Sequence, residues 1–427
     1  MFHIENDSIR SLLLKGNFGL EKESLRITGD GSFALTLHPF PDNRNIVYDF
    51  CENQTEINTD VTDSAEEAQK LLAFHTRQIH EKLVSLNEPE FMWPFSNPPF
   101  IRNERDIPIA HHNAKAEYSE GYREYLANRY GRYMMSLSGI HVNYSFSDEL
   151  LKADFELSGS DDFEEYKNRV YLDLAAGLAA YGWIVTALTA ASPLLDGSYL
   201  ERGRRGITAF NGLASTRCSE LGYWNYFVPV FDYSDINAYA ASIRQYVDAG
   251  LIASPTELYY PVRLKSYGKN NLDRLAAEGV SYIELRTVDL NPYELSGINL
   301  KDLKFIQLLY AWIASGPRKE LSLRDQVQAV QNFKNAAHYD LKTVKIVIPK
   351  GQSRSVVRTG LDIMEEMKEF YRDFPDDVRE VLDYEEEKLI VPEKRYAWMI
   401  KKEFEDDFAG KGLELAKKLQ ERILTNV

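Results

Sequence analysis

The clearest periodic stretch of the chain is Phe18 to Thr28 (FGLEKESLRIT), whose residues alternate as in an extended strand. The alternation sets Glu21, Glu23, Leu25 and Ile27 on one face. Before it, Ser8 to Lys15 reads as a short helix stopped by Gly16. After it, the Asp30-Gly31 turn signal predicts that Phe33 to Leu37 returns as a hairpin partner. Ile46 to Asn58 is strand-like and carries Asp49, Glu52 and Glu56. Thr62 or Asp63 caps a long amphipathic helix with Leu71, Leu72, Ile79 and Leu83 at helical spacing. The Pro-rich run from Met92 to Pro99 predicts an ordered loop that packs through its aromatics.

The second half of the pattern is similar. Tyr118 to Tyr133 is a tyrosine-rich helix, and Ser136 to Phe146 a strand. Its parity separates His141 and Asn143 from Ile140, Val142 and Tyr144. Phe163 to Ala191 reads as helical throughout. Leu258 to Lys265 groups Tyr259, Arg263 and Lys265, while Gly279 to Leu290 groups Tyr282, Glu284 and Arg286 opposite Ile283, Leu285 and Thr287. From Leu300 onward the chain is mostly helical, and Glu385-Glu386-Glu387 reads as a solvated run. Strands without a regular βαβ rhythm, surrounded by helices, predict an α+β protein with an antiparallel sheet.

Composition narrows the partners. The formal net charge of −15 over 427 residues argues against nucleic acid, which needs a basic surface. Two cysteines, Cys51 and Cys218, offer neither zinc spacing nor a disulfide framework, which suits a reducing cytoplasm. The first residues lack the charged and apolar regions of a signal peptide. Leu174 to Leu195 carries no charge and is long enough to span a bilayer. Its richness in Ala, Gly and Thr, without aromatic or basic flanks, favours a buried core helix and no membrane contact.

Two glutamates on one strand face repel each other unless a cation lies between them, and a hard ion such as Mg2+ fits that need. The plain alternative is a solvated edge balanced by Lys22 and Arg26. The distribution of charge over several strands favours the ion. Glu21, Glu23, Asp49, Glu56 and Glu284 converging on one sheet face would need about two divalent ions, since desolvating unpaired carboxylates costs several kcal/mol each. Arg286, two residues from Glu284, then meets an anion held by those ions. Metals and an arginine around phosphate oxygens suit phosphoryl transfer. No Gly-rich phosphate loop of the P-loop or dinucleotide type is present.

The segments FGLEKESLRI (18–27), YDFCENQTEI (48–57), MWPFSNPPFI (92–101), YREYLANRYG (122–131), SGIHVNYSF (138–146), GWIVTALTAASP (182–193), STRCSELGY (215–223), LYYPVRLK (258–265) and YIELRTVDLNPY (282–293) resemble the bacterial glutamate–cysteine ligase family, a group of glutamine synthetase-like carboxylate–amine ligases. The resemblance implies a six-stranded, mostly antiparallel sheet curved into a half-barrel, backed by helices. It covers about residues 18–315 and leaves a helical part after about 320 within one catalytic domain. It further implies ATP- and Mg2+-dependent activation of the glutamate γ-carboxylate as an acyl phosphate, with Mn2+ as an alternative ion, followed by attack of the cysteine amine. By that resemblance Glu21, Glu23, Asp49, Glu56, His141 and Glu284 are metal ligands, and Arg286 contacts the transferring phosphate. Arg217 binds substrate carboxylate, Tyr122, Arg123, Tyr223 and Tyr259 surround the acceptor, and Asn143 stands beside His141.

Two departures bear on the acceptor. Met135 stands where the family typically has a polar Gln, and Ile109-Ala110-His111-His112-Asn113 replaces an IAKYG-like loop. Both leave the glutamate and ATP machinery intact and open the choice of amine. With no Gly-rich C-terminal extension in the sequence, the expected product is the dipeptide. Other readings are a ligase for a different amine, a non-catalytic nucleotide- or metal-binding relative, and a kinase of small carboxylates. His141 as a satisfied core histidine, the tyrosines at 122, 125, 130 and 133 as core, with only Tyr122 supported by the resemblance, and Cys51 as a small buried residue are the corresponding structural readings.

Overall fold

The computed structural model describes residues 2–110, 120–201, 206–268 and 271–425. Its centre is an open antiparallel sheet of seven strands: β1 (Gly16–Thr28), β2 (Ile46–Tyr48), β3 (Gln54–Asn58), β4 (Glu90–Met92), β5 (Ile140–Phe146), β6 (Val262–Lys265) and β7 (Tyr282–Val288). Six run in the order β2-β3-β1-β5-β7-β6, and β4 pairs with the far end of β1. The α+β architecture predicted from the pattern is present, with one strand more than the six expected.

β1 is the long beam. Its N-terminal half pairs with β5 through Glu21↔His141 and its middle with β3 through Glu23↔Glu56. Ile140, Val142 and Tyr144 of β5, with Ile283 and Leu285 of β7, are fully buried in the main core beneath helices such as Phe163–Tyr181 and Leu300–Ser315. Leu25 and Ile27, on the face shared with Glu21 and Glu23, enter a second core with Trp93, Phe95, Phe404 and Phe408. The Pro-rich loop therefore packs through its aromatics, against the C-terminal helices.

Several elements differ from the sequence pattern. Ile46 to Asn58 is a hairpin, not one strand: the Gln54 N–H donates to Cys51 O at 2.9 Å, turning the chain after Asp49. Phe33 makes a single bridge to Ile27, and β4 takes the place of the predicted hairpin partner. Leu258 to Pro261 lies outside β6. The stretch Phe163 to Ala191 breaks at Gly182 into two helices bent by 55°. A Cβ there would lie 2.6 Å from Leu178 O, so only glycine fits the bend. Among the described residues no single helix is long and apolar enough to cross a membrane. Gly131, at φ +85°, ends the tyrosine-rich helix before Arg132–Met135. His111, His112 and Asn113 lie outside the described residues.

Lys22 and Arg26 do not balance Glu21 and Glu23. They point to the opposite face, where Arg26 Nη1 is buried against Glu90 at 2.7 Å and Lys22 Nζ reaches Thr76 Oγ1 at 3.4 Å. Glu385 is fully buried rather than solvated, 2.8 Å from Lys388.

Candidate active site

The concave side of the sheet opens into a cavity of about 450 Å³. Strand parity delivers Glu21 and Glu23 from β1, Glu56 from β3, His141 from β5, Glu284 and Arg286 from β7, and Arg263 and Lys265 from β6. The turn after β2 adds Asp49. Carboxylates thus crowd the β1–β3 side and cations the β6–β7 edge, with His141 at the boundary and Glu284 among the cations.

The centre is tightly connected. His141 Nδ1 lies 2.9 Å from Glu21 Oε2 and 3.7 Å from Glu284 Oε1, and Arg286 Nη1 donates to Glu284 Oε1 at 2.8 Å. One ligand atom from each of Glu21, His141 and Glu284 lies within 4.8 Å of the others. His141 Nε2 and Glu284 Oε2 are buried without a hydrogen-bond partner. Unsatisfied buried polar atoms are costly, and here they face the cavity. Donors of this type, nitrogen and hard carboxylate oxygen, fit a divalent cation.

Electrostatics agree. Burial, reinforced by the Asp49 charge, pushes the Glu23 carboxyl up to about 8, and burial raises Asp49 as well. Against the upward pull of burial, the Arg286, Lys265 and Arg263 charges hold Glu284 well below the carboxylate range. Burial is also the largest single influence on Glu21 and opposes its charge, but the hydrogen bond with His141 and the His141 and Lys265 charges together lower the group. Burial and the Arg286 charge depress His141 to about 4, so its imidazole is neutral at physiological pH and able to ligate. On the Glu23–Asp49 side burial outweighs the Arg123, Arg217 and Arg286 charges, and a bound cation would favour the charged carboxylates.

A bulge re-aims β7 at this point. Ile140 faces Val288 and Val142 faces Leu285, so Arg286 and Thr287 together oppose His141. Thr287 consequently lines the cavity, although simple alternation put it on the apolar face. Arg217 Nη1 caps the bulge, donating to Arg286 O at 2.8 Å and Val288 O at 3.2 Å. Its guanidinium lies over Gly139, where a Cβ would come within 2.2 Å of Cζ. The loop bearing Arg217 is fixed from below by Asp289, which accepts from Ser215 Oγ at 3.0 Å, Ser192 Oγ at 2.7 Å and Ala191 N–H at 2.8 Å.

One wall of the cavity is aromatic. Tyr122, Tyr223, Tyr259 and Met135 line it. Tyr259 OH lies 3.9 Å from Met135 Sδ, and the Tyr223 and Tyr259 ring centroids are 5.6 Å apart. Arg123 donates through Nε to Asp49 O at 2.8 Å and lies over the Tyr48 ring. Asn143 does not line the cavity: its Nδ2 donates to Glu21 Oε1 at 2.8 Å and so orients a cavity carboxylate. Tyr125 and Tyr130 bind the buried Glu257 carboxylate, and Cys51 is buried with its thiol pushed far up by burial. Arg263, Lys265, His38, Asn58 and Thr287 also line the cavity, and no role for them follows from the sequence pattern. For the first two, the strand alternation of LYYPVRLK was the available signal.

A sequence profile of the glutamate–cysteine ligase family matches residues 1–249 and 227–336. The chain is 35% identical over 415 residues to the glutathione biosynthesis bifunctional protein GshAB of Listeria welshimeri, covering 93% of this chain and 53% of that one. It is 32% identical over 358 residues to the glutamate–cysteine ligase of Clostridium acetobutylicum, covering 72% of this chain and 74% of that one. It spans about half the length of the bifunctional relatives. Among solved structures, a bifunctional glutathione synthetase from Pasteurella multocida superposes with a TM-score of 0.84 at 26% identity, covering 99% of this chain and 55% of that one. The Francisella tularensis glutamate–cysteine ligase, solved with AMP, shares the fold with a TM-score of 0.86 at 20% identity, over 96% of this chain and 89% of that one. With sequence profile, relatives and fold in agreement, the chain belongs to the glutamate–cysteine ligase family.

Proposed function

We propose that this protein joins the γ-carboxylate of glutamate to the amine of cysteine, using ATP and forming ADP and phosphate. The observation that carries this reading is the division of one sheet face into an acidic half and a basic half, with orphaned ligand atoms at the seam. Glu21, Glu23, Asp49, Glu56, His141 and Glu284 are the residues that would hold divalent ions, Mg2+ or Mn2+. Bound there, such ions neutralise phosphate oxygens and raise the electrophilicity of the γ-phosphorus. The chain's own residues supply the rest. Arg286, oriented by Glu284, places a planar pair of donors on the transferring phosphoryl group. Arg217 takes a carboxylate of glutamate.

The glutamate γ-carboxylate oxygen then attacks the γ-phosphorus as ADP leaves, and the resulting acyl phosphate loses phosphate to the incoming amine. Tyr122, Arg123, Tyr223, Tyr259 and Met135 form the acceptor wall, and Asn143 positions Glu21. The test is ADP release with glutamate, ATP and Mg2+ or Mn2+ against cysteine, 2-aminobutyrate, serine and alanine. Release that requires glutamate and an amine supports the reading; release with glutamate alone and a stable phosphorylated product points to a kinase, and no release with any combination removes it. A second reading, a different small amine as acceptor, is favoured by Met135, whose thioether offers no strong hydrogen bond where the tyrosines converge.

A further inference from the structure

The structure assigns Lys265 as a catalytic residue that binds a phosphate of the nucleotide beside Arg286; this rests on the ligase reading of the cavity. Lys265 ends β6, paired with Tyr282 of β7, and its side chain enters the cavity with only 14% of its surface exposed. Its Nζ lies 3.9 Å from Glu284 Oε2, beyond hydrogen-bond range, and among the described residues no other carboxylate lies within 4 Å of it. A mostly buried ammonium held short of its nearest carboxylate forgoes most of the available stabilisation.

Its neighbours explain the gap. Arg263, one turn of the pleat away, donates through Nη2 to Thr256 O at 3.1 Å and to Leu258 O in the strand's entry loop, while its Nε stands 4.0 Å from Glu284 Oε2. Arg286 is seated on Glu284 Oε1. Glu284 Oε2, the oxygen nearest Lys265, is itself without a hydrogen bond. An ion pair would close this pair if the side chains were meant for each other. Instead a carboxylate oxygen suited to a cation and an ammonium suited to an anion face the same space. A phosphate held between a divalent ion and Lys265 satisfies both, as in other phosphoryl-transfer sites that pair a metal with a lysine.

The position also orders the substrates along the sheet. Tyr282 and Lys265 lie one row outward from Glu284, on the side away from Arg217 and the tyrosine wall. The nucleotide phosphates therefore run outward from Arg286 past Lys265, while glutamate and the amine occupy the Arg217 end.

The experiment compares AMP, ADP and ATP binding, each with Mg2+, to the wild type and to Lys265→Met and Lys265→Arg by calorimetry. A lost charge-assisted contact predicts that Lys265→Met weakens ATP about 10- to 100-fold while AMP changes less than about threefold. Lys265→Arg should recover most of the ATP affinity. Equal losses for AMP and ATP, or unchanged ATP affinity in Lys265→Met, overturn the assignment. A wild type that binds none of the three nucleotides refutes the ligase reading itself and is thereby told apart from a failure of Lys265 alone.

Discussion

Buried charge is handled in two ways in this molecule. Between the helices Leu300–Ser315 and Asp376–Ile390, Lys388 Nζ sits 2.5 Å from Asp302 and 2.8 Å from Glu385, and the Tyr396 hydroxyl contacts both Asp302 oxygens at 2.9 and 3.1 Å. Burial pushes the Glu385 carboxyl well up, which favours its protonated form. On the sheet face the same residue types, some of them paired, line a cavity of about 450 Å³. Glu284 and His141 each keep an unbonded buried atom there, as Glu385 does in the helical cluster, and burial raises Glu23 toward neutrality although the Arg217 and Arg286 charges pull the other way. The helical cluster is a strut because its charges are packed against one another between helices. The sheet face is a site because its charges open onto a cavity.

The sharpest way to break this comparison is to substitute on each side. On the proposed reading Glu23→Gln removes a metal ligand and should lower ATP turnover about a hundredfold, while the melting temperature of the metal-free protein holds, since burial already drives the Glu23 carboxyl toward neutrality. Coupled turnover assays and thermal scans check both; near-normal turnover at saturating Mg2+ removes Glu23 from the ligands. Lys388→Met should do the reverse. It strands Asp302 in a buried place and costs about 3–5 kcal/mol of stability, with turnover per folded molecule unchanged. Glu385→Gln, replacing a carboxyl whose protonated form burial favours, should cost less than about 1 kcal/mol in the same denaturation series. If Glu385→Gln unfolds the protein as Lys388→Met does, the proton is not where the comparison places it.

The alternation of β1, β5 and β7 was readable because one face packs on the apolar core while the other lines the polar cavity, so period two survives in the sequence. That alone brings Glu21, His141, Glu284 and Arg286 to one face. What could not be read depends on partners distant in the chain. Asp49 to Asn53 looks like continuing strand, and only the hairpin shows Asp49 as a turn residue. The bulge at Arg286–Thr287 leaves no mark in local composition. Glu385-Glu386-Glu387 reads as solvated, yet successive helical residues face different directions: Glu387 is exposed, Glu386 half-buried and Glu385 buried on Lys388. Gly182 sits in a run whose apolar pattern continues on both sides of the bend. Lys265 looks like any solvated strand end until Glu284 is placed beside it.

Acid sharpens the contrast further. On the helical side His80 is buried uncharged, Nδ1 3.3 Å from Gln420 Oε1, and burial with the Lys22 charge depresses it to about 4 from 6.5. A depressed histidine lets the unfolded chain bind the extra proton, so its contribution is full above pH 6.5 and is lost as pH falls toward 4. The loss amounts to at most about 3 kcal/mol. His38, also depressed to about 4, has the same sign, so the difference between wild type and His80→Gln isolates one of them. Denaturant titrations from pH 7 to 4 should give a shallower decline for His80→Gln; identical slopes would show that His80 charges freely in the fold.

The smallest expected effect lies at the acceptor wall. Met135→Gln should raise the preference for cysteine over 2-aminobutyrate by about fivefold at most, about 1 kcal/mol, read from the ratio of kcat/KM values. An unchanged ratio would show that Met135 does not set acceptor choice.

The strand order has a consequence for how the molecule comes into being. β1 finds His141 120 residues downstream, and His141 meets Arg286 a further 145 residues on. Contacts so remote close slowly, and a chain emerging from the ribosome exposes its acidic β1 and β2–β3 segments well before β6 and β7 exist. Until the last strand docks, those carboxylates have solvent and counterions for company, and the cavity has no far wall. Completion of the cavity is therefore a late event in biogenesis, and an incompletely synthesised chain does not present it.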